Sequence, residues 1–297
     1  MAANWTEELA RALHDGLCIP AHPLALNERR ELDERYQRAL TRYYAASGAG
    51  GIAIGVHSTQ FEIRDPKHSL YEKVLALAAE EVERARLARP FLMVAGLCGR
   101  TEQAVQEAET ARGLGYHAGL LSMGGLSGYT EEELLERTRR VAAVMPVFGF
   151  YLQPSVGGRV FSYSFWRAFA DIPGVVAIKM APFNRYQTID VVRAVCESPR
   201  RDEIALYTGN DDINDLLTVF RFQVNGETVE KRIVGGLLGH WAVWTRKAAE
   251  RMASIKSARG FRHDRYRMVD PQYRGDRVQR GAVRCGPSVR RLHSRHS

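Results

Sequence analysis

The chain reads as an α/β protein, a (β/α)8 TIM barrel followed by an atypical Arg-rich C-terminal tail, and three observations predict this. Short apolar runs rich in Val, Ile, Leu, Ala and Phe alternate in order with helical segments, eight times over. The runs are apolar at nearly every position, which suits parallel strands covered on both faces. Eight such units in about 250 residues match the size of a closed barrel of parallel strands joined by right-handed crossovers. An open doubly wound sheet is the alternative. It lacks support because no Gly-x-Gly-x-x-Gly follows the first run and no Gly-x-x-x-x-Gly-Lys-Ser/Thr loop occurs anywhere.

A leading helix is expected over 4–15, so that residues 1–16 form an N-terminal helical segment, 17–256 the catalytic barrel and 257–297 a basic tail. Strand one is expected at 17–26, after which Asn27 caps a helix to 47 that stops at Ser-Gly-Ala-Gly-Gly. Strand two lies at 51–56 with a helix at 70–89, strand three at 91–98 with a helix at 101–114, and strand four at 116–123. Thr130 and Glu133 then form a capping box for the fourth helix. Strand five spans 147–152 with a helix at 162–170, and strand six spans 174–182 with a helix at 186–197. Strand seven covers 204–208 with a helix at 213–222, and strand eight covers 232–238 with a last helix at 240–256.

Strand six holds the residue that stands out. In Gly-Val-Val-Ala-Ile-Lys-Met-Ala-Pro, Lys179 sits inside an apolar run, where an amine must be dehydrated, paired or chemically used. The chain has six lysines against 36 arginines, so a generic positive charge here is normally an arginine. Arginine cannot lose a proton and attack a carbonyl, whereas lysine can. The structural alternative is a lysine that snorkels to solvent from a strand end.

In a barrel of this kind chemistry gathers at the C-terminal ends of the strands. The residues there are His22 after strand one, His57, Ser58 and Thr59 after strand two, Tyr151 on strand five, Lys179, and Gly209, Asn210, Asp211 and Asp212 after strand seven. An apolar interior lowers a lysine pKa towards the neutral nucleophile, and a phenol on the neighbouring strand can shuttle protons without carrying charge.

Three segments resemble the dihydrodipicolinate synthase and N-acetylneuraminate lyase family, the pyruvate-type class I aldolases. Phe-Gly-Phe-Tyr151-Leu-Gln-Pro is similar to the family's Tyr-Asn-x-Pro strand end, and Pro-Gly-Val-Val-Ala-Ile-Lys179 to its Pro-x-x-x-Gly-x-Lys segment. Gly209-Asn-Asp211-Asp212 is similar to its Gly-x-Asp motif. The resemblance implies a lyase in which Lys179 forms a Schiff base with a 2-oxo acid such as pyruvate and Tyr151 relays protons. It places His57, Ser58, Thr59, Gly209, Asp211 and Asp212 in substrate binding. It implies no cofactor, and it implies a homo-oligomer.

Two departures narrow this. Gly-Val-His57-Ser58-Thr59-Gln replaces the family's Gly-Thr-Thr-Gly-Glu-like loop, and Met-Gly-Gly-Leu-Ser-Gly stands where the synthase branch carries a Pro-Tyr-Tyr-like segment, with Tyr129 following. Lysine biosynthesis is therefore not the expected role, and chemistry common to the family is. Carbon–carbon cleavage or formation, dehydration of a sugar acid, and silent binding of an oxo acid all fit the same scaffold.

The net charge of +8 comes entirely from the tail: residues 257–297 carry 11 Arg and three acidic residues, and the remaining 256 residues balance at 31 of each sign. The body is neutral, and neither nucleic acid nor membrane is an expected partner. The tail shows no helical apolar periodicity and too little apolar surface to fold alone. Its composition breaks where the resemblance stops, which favours a shifted reading frame over a selected basic arm. Cys18, Cys98, Cys196 and Cys285 lack metal-ligand spacing, and the N-terminus lacks a secretory pattern, so a reduced, cytoplasmic protein is expected. His22 and His57 lack a third partner at metal-binding spacing. Trp241 and Trp244, three apart, are expected to pack one face of the last helix on the barrel.

Overall fold

The computed structural model describes residues 4–211 and 214–267, with side chains as far as Arg259. Among the described residues, those up to Ile255 form one compact unit and those from Lys256 a second. The elements run α1 (Glu7–Asp15), β1 (Cys18–Pro20), α2 (Glu34–Ala46), β2 (Gly51–Ile54), α3 (Tyr71–Ala85), β3 (Leu92–Leu97), α4 (Thr101–Gly113), β4 (Ala118–Leu121) and α5 (Glu131–Ala142). They continue with β5 (Val147–Leu152), α6 (Tyr163–Ala170), β6 (Val175–Ala181), α7 (Arg185–Glu197), β7 (Ala205–Thr208), α8 (Asn214–Leu217), β8 (Val219–Val224), β9 (Glu227–Leu238) and α9 (Thr245–Arg267).

Eight parallel strands form the sheet in the order β1-β9-β7-β6-β5-β4-β3-β2. Ala21 bridges Ala53, and His22 N donates to Ala53 O at 2.8 Å, which joins the two ends into a barrel. Alternation along the strands sorts the apolar residues into two clusters. Ile19, Ala53, Val94, Leu120, Phe148, Phe150, Ala177, Tyr207 and Leu237 fill the interior, with Leu9 and Leu13 of α1. Ile52, Met93, Leu121, Tyr151, Ile178, Met180 and Leu206 face outward among helix residues such as Val74, Leu134, Trp166 and Val191. At the N-terminal end the Tyr207 hydroxyl donates to Leu13 O at 2.8 Å and accepts from Leu17 N at 3.0 Å.

The (β/α)8 class stands, and four elements depart from expectation. Strand one stops at Pro20 instead of 26, since Pro20 and Pro23 offer no N–H to a ladder. Asn27 turns the loop instead of capping: its Oδ1 accepts from the N–H groups of Arg29 and Glu31, and the helix starts later, with Asp33 accepting from Tyr36 N. The helix expected at 213–222 is replaced by the single turn α8 and by β8, which pairs antiparallel with β9 from Val219–Arg232 to Val224–Glu227. Asn225 and Gly226 close that hairpin with φ of 50° and 85°. The last helix begins at Thr245, after a 3-10 turn at His240–Ala242, and runs to Arg267 instead of 256. Trp241 packs against the core while Trp244 is 64% exposed, so the two indoles do not share a packed face. The rest of the expected tail, 268–297, lies outside the described residues. No helix among those described is long and apolar enough to cross a membrane.

The expected capping box is present: Thr130 Oγ1 accepts from Glu133 N at 3.2 Å and Glu133 Oε2 accepts from Thr130 N at 2.7 Å. His22 is completely buried, with Nε2 2.9 Å from Thr41 Oγ1 and Nδ1 2.8 Å from Pro23 O, and burial lowers its pKa from 6.5 to about 4. A folded pKa below the unfolded one gives stability that is complete above pH 6.5 and is lost as pH falls towards 4. Between pH 7 and 4.5 the wild type should lose about 2–3 kcal/mol more than His22→Gln in denaturant titrations. An equal loss in both proteins would remove the buried histidine as a source of acid lability.

Candidate active site

Lys179 and its neighbours on β5 are placed by strand register. Phe150 pairs with Lys179, and Tyr151 with Met180. Ile178 and Met180 belong to the outer layer, so Lys179 between them projects into the barrel. Its Nζ lies 4.4 Å from the centre of the Phe150 ring. Gly209, the first residue after β7, makes room for the stem: a Cβ there would sit 2.5 Å from Lys179 Cε. The side chain thus climbs from mid-strand to the C-terminal mouth. Burial lowers its pKa from 10.5 to about 8, against the opposing pull of the Asp211 charge. The lowered pKa raises the neutral, nucleophilic fraction of the amine as pH approaches 8.

Tyr151 is a correction. It faces away from Lys179, on the outside of the barrel, with its ring 4.9 Å from Trp166 and 5.8 Å from Phe161. Burial there raises its phenol pKa. The cause is strand parity: 148, 150 and 152 point inward, which leaves 151 outside. The register shift between Val147 and Phe148 contributes to this pairing. Phe150, not Tyr151, meets the amine.

After β2, His57–Thr59 forms a 3-10 turn. His57 is exposed and stacks on Phe61 at 5.7 Å. Ser58 approaches the end of β9, its Oγ lying 3.5 Å from where a Cβ on Gly239 would be. Thr59 is fully buried, donating to His22 O at 2.6 Å and accepting from Gly55 N at 3.0 Å. Its hydroxyl ties the ends of β1 and β2 together and is not presented to a substrate, contrary to expectation.

After β7, Gly209 adjoins the amine and Asp211 takes a left-handed φ of 55°, which Asp tolerates better than most residues. Asp211 Oδ1 lies 3.1 Å from His240 Nδ1, at the end of β9. Asn210 pins the loop after β6, accepting from Phe183 N at 3.0 Å and donating to Asp215 Oδ2 at 2.9 Å. Asp212 lies outside the described residues. A cavity of about 560 Å³ opens beside this dyad, lined among others by Asp211, His240, Trp241, Trp244, Lys247 and Arg251. Phe150 and His240 were not anticipated. The signal for His240 was its place directly after strand eight, where mouth residues belong.

Fold and interior lysine together define a (β/α)8 barrel carrying an amine, its pKa lowered by burial, towards the C-terminal mouth of its strands. No family model and no curated protein sequence matches this chain. Solved dihydrodipicolinate synthases share its fold. That from Oceanobacillus iheyensis superposes with a TM-score of 0.66 at 15% identity, over 85% of this chain and 77% of that one. That from Agrobacterium tumefaciens gives 0.66 at 18%, over 86% and 80%. The chloride-inhibited enzyme from Acinetobacter baumannii, complexed with pyruvate, gives 0.64 at 18%, over 82% and 76%.

Proposed function

We propose that this chain is a divergent aldolase or lyase of the dihydrodipicolinate synthase family that forms a Schiff base between Lys179 and a pyruvate-like 2-oxo acid. The observation that carries this reading is the lysine itself, inside the barrel on the sixth strand, with its amine brought down to about 8 by burial. Condensation of that amine with the C2 carbonyl releases water and leaves an iminium, which withdraws electrons from the adjacent C–C and C–H bonds. The backbone amides of His57 and Ser58 and the Ser58 hydroxyl are the groups proposed to hold the substrate carboxylate, with Asp211 holding a hydroxyl. Cytoplasmic location and homo-oligomeric assembly belong to the same proposal.

Borohydride reduction in the presence of pyruvate and other 2-oxo acids tests it. The expected result is a mass adduct on the peptide containing Lys179, absent in Lys179→Ala. A second reading, a silent barrel that binds an oxo acid without reacting, is favoured by the outward Tyr151. Folded protein that binds pyruvate but yields no adduct would establish that reading instead.

A further inference from the structure

With Tyr151 outside the barrel, the Schiff-base reading lacks a proton carrier, and the polar groups at the mouth can be taken in turn. Tyr207 points inward, but its hydroxyl is committed to Leu13 and Leu17 at the opposite end. The Thr59 hydroxyl is buried between His22 and Gly55. His57 stacks on Phe61, and no described residue is hydrogen-bonded to its ring to orient it, whereas the equally exposed His240 has such a partner. His240 remains, and it is positioned as a base must be. Asp211 Oδ1 accepts from its Nδ1–H at 3.1 Å, which fixes the tautomer with a bare Nε2, and no described residue bonds Nε2. The dyad stands on the rims of β7 and β9. Asp211 is close enough to Lys179 to act on its charge, and both dyad residues line the 560 Å³ cavity. Gly209, two residues before Asp211, abuts the Lys179 stem, so the dyad stands on the same rim as the amine.

We propose that His240 is the acid–base residue of this barrel, oriented by Asp211, in place of the outward Tyr151. The proposal rests on the Schiff-base reading. Once the iminium has formed on Lys179, His240 Nε2 removes a proton from C3. The C3–H electron pair forms the C2–C3 double bond, and the C=N pair moves to nitrogen, giving an enamine and a protonated imidazole. Enamine C3 then attacks an aldehyde carbon bound at the barrel mouth beside His240, and the same proton passes from His240 to the nascent alkoxide. Water adds to the regenerated iminium and frees the amine. Cleavage of an aldol is the reverse sequence.

Exchange of the C3 protons of pyruvate with D2O, read by NMR alongside borohydride trapping, separates the dyad from the imine. His240→Gln should still be trapped at Lys179 while C3 exchange falls about 100-fold or more. His240→Ala should behave likewise and recover exchange when imidazole is added. Asp211→Asn should lose about tenfold or more with trapping intact, as expected of a residue that positions the imidazole. His240→Gln that is trapped and exchanges at the wild-type rate overturns the proposal and leaves the Schiff base standing. Wild-type protein that is never trapped overturns the Schiff-base reading, and the dyad's role with it.

Discussion

Lys179→Met should lose imine trapping and turnover completely and yet be harder to unfold than the wild type at pH 7. Burial has moved the amine from 10.5 to about 8, a shift whose free-energy equivalent is about 3 kcal/mol. The folded pKa lies below the unfolded one. Between pH 8 and 10.5 the unfolded chain holds a proton that the folded chain has shed, so stability rises with pH across that window. Below pH 8 the charged amine sits over Phe150, with its stem beside Gly209 and Ala181, and the folded state bears the whole cost. Methionine fills the same volume without the charge, so its variant should melt up to about 5–10 °C higher at pH 7 and converge with the wild type above pH 10. The rate of imine formation in the wild type should climb as pH rises towards 8, as the neutral fraction grows. Identical melting of variant and wild type would show that the amine is not dehydrated. An adduct in Lys179→Met would place the chemistry on another lysine.

The strand positions and the interior lysine were legible because strands buried on both faces are short runs apolar at nearly every position, and one lysine interrupts such a run. The hairpin was also written in the chain, as Asn225-Gly226 between Val-Phe-Arg-Phe-Gln-Val and Glu-Thr-Val-Glu-Lys-Arg. It was missed because strict barrel alternation demanded a helix there, and a global template overrode a strong local signal. Tyr151 shows a different limit. A 28-residue spacing to Lys179 fixes the strand and the level but not the face, and one residue of register separates the barrel mouth from the helical layer. Thr59 was a plausible carboxylate ligand by type. Only the folded chain shows its hydroxyl between His22 O and Gly55 N. The His240–Asp211 contact joins positions 29 residues apart on two strand ends, and nothing in one sequence pairs them.

Support for the mouth comes from a second buried constellation, and Glu107→Gln should destabilise the barrel by about 3–5 kcal/mol. Arg64 follows the 57–59 turn, and its side chain and that of Glu107 on α4 are each only 9% exposed. Glu107 accepts from Arg64 Nε at 2.8 Å and Nη2 at 3.1 Å, from Cys98 N at 3.0 Å and from Gln103 Nε2 at 2.8 Å. Arg64 also donates to Gly96 O at 2.8 Å and lies 4.4 Å over the Tyr71 ring. One carboxylate therefore locks the loop after β2 to the end of β3. It also faces Arg137, which is fully buried, donates to Gly99 O at 3.0 Å, and has its pKa lowered to about 10 by burial. Glutamine keeps the shape and removes the charge, which leaves the dehydrated Arg64 guanidinium without its ion-pair partner. Arg137→Met in the wild-type background should be neutral or stabilising, because Arg137 feels the Glu107 charge only at a distance, with no described carboxylate in direct ion-pair contact, and desolvation dominates its pKa. The loop carrying His57 and Ser58 loses its anchor in Glu107→Gln, so affinity for a 2-oxo acid should fall together with stability. Urea unfolding and pyruvate titration of the same variants measure both. A Glu107→Gln protein as stable as the wild type would mean that water, not Glu107, satisfies Arg64.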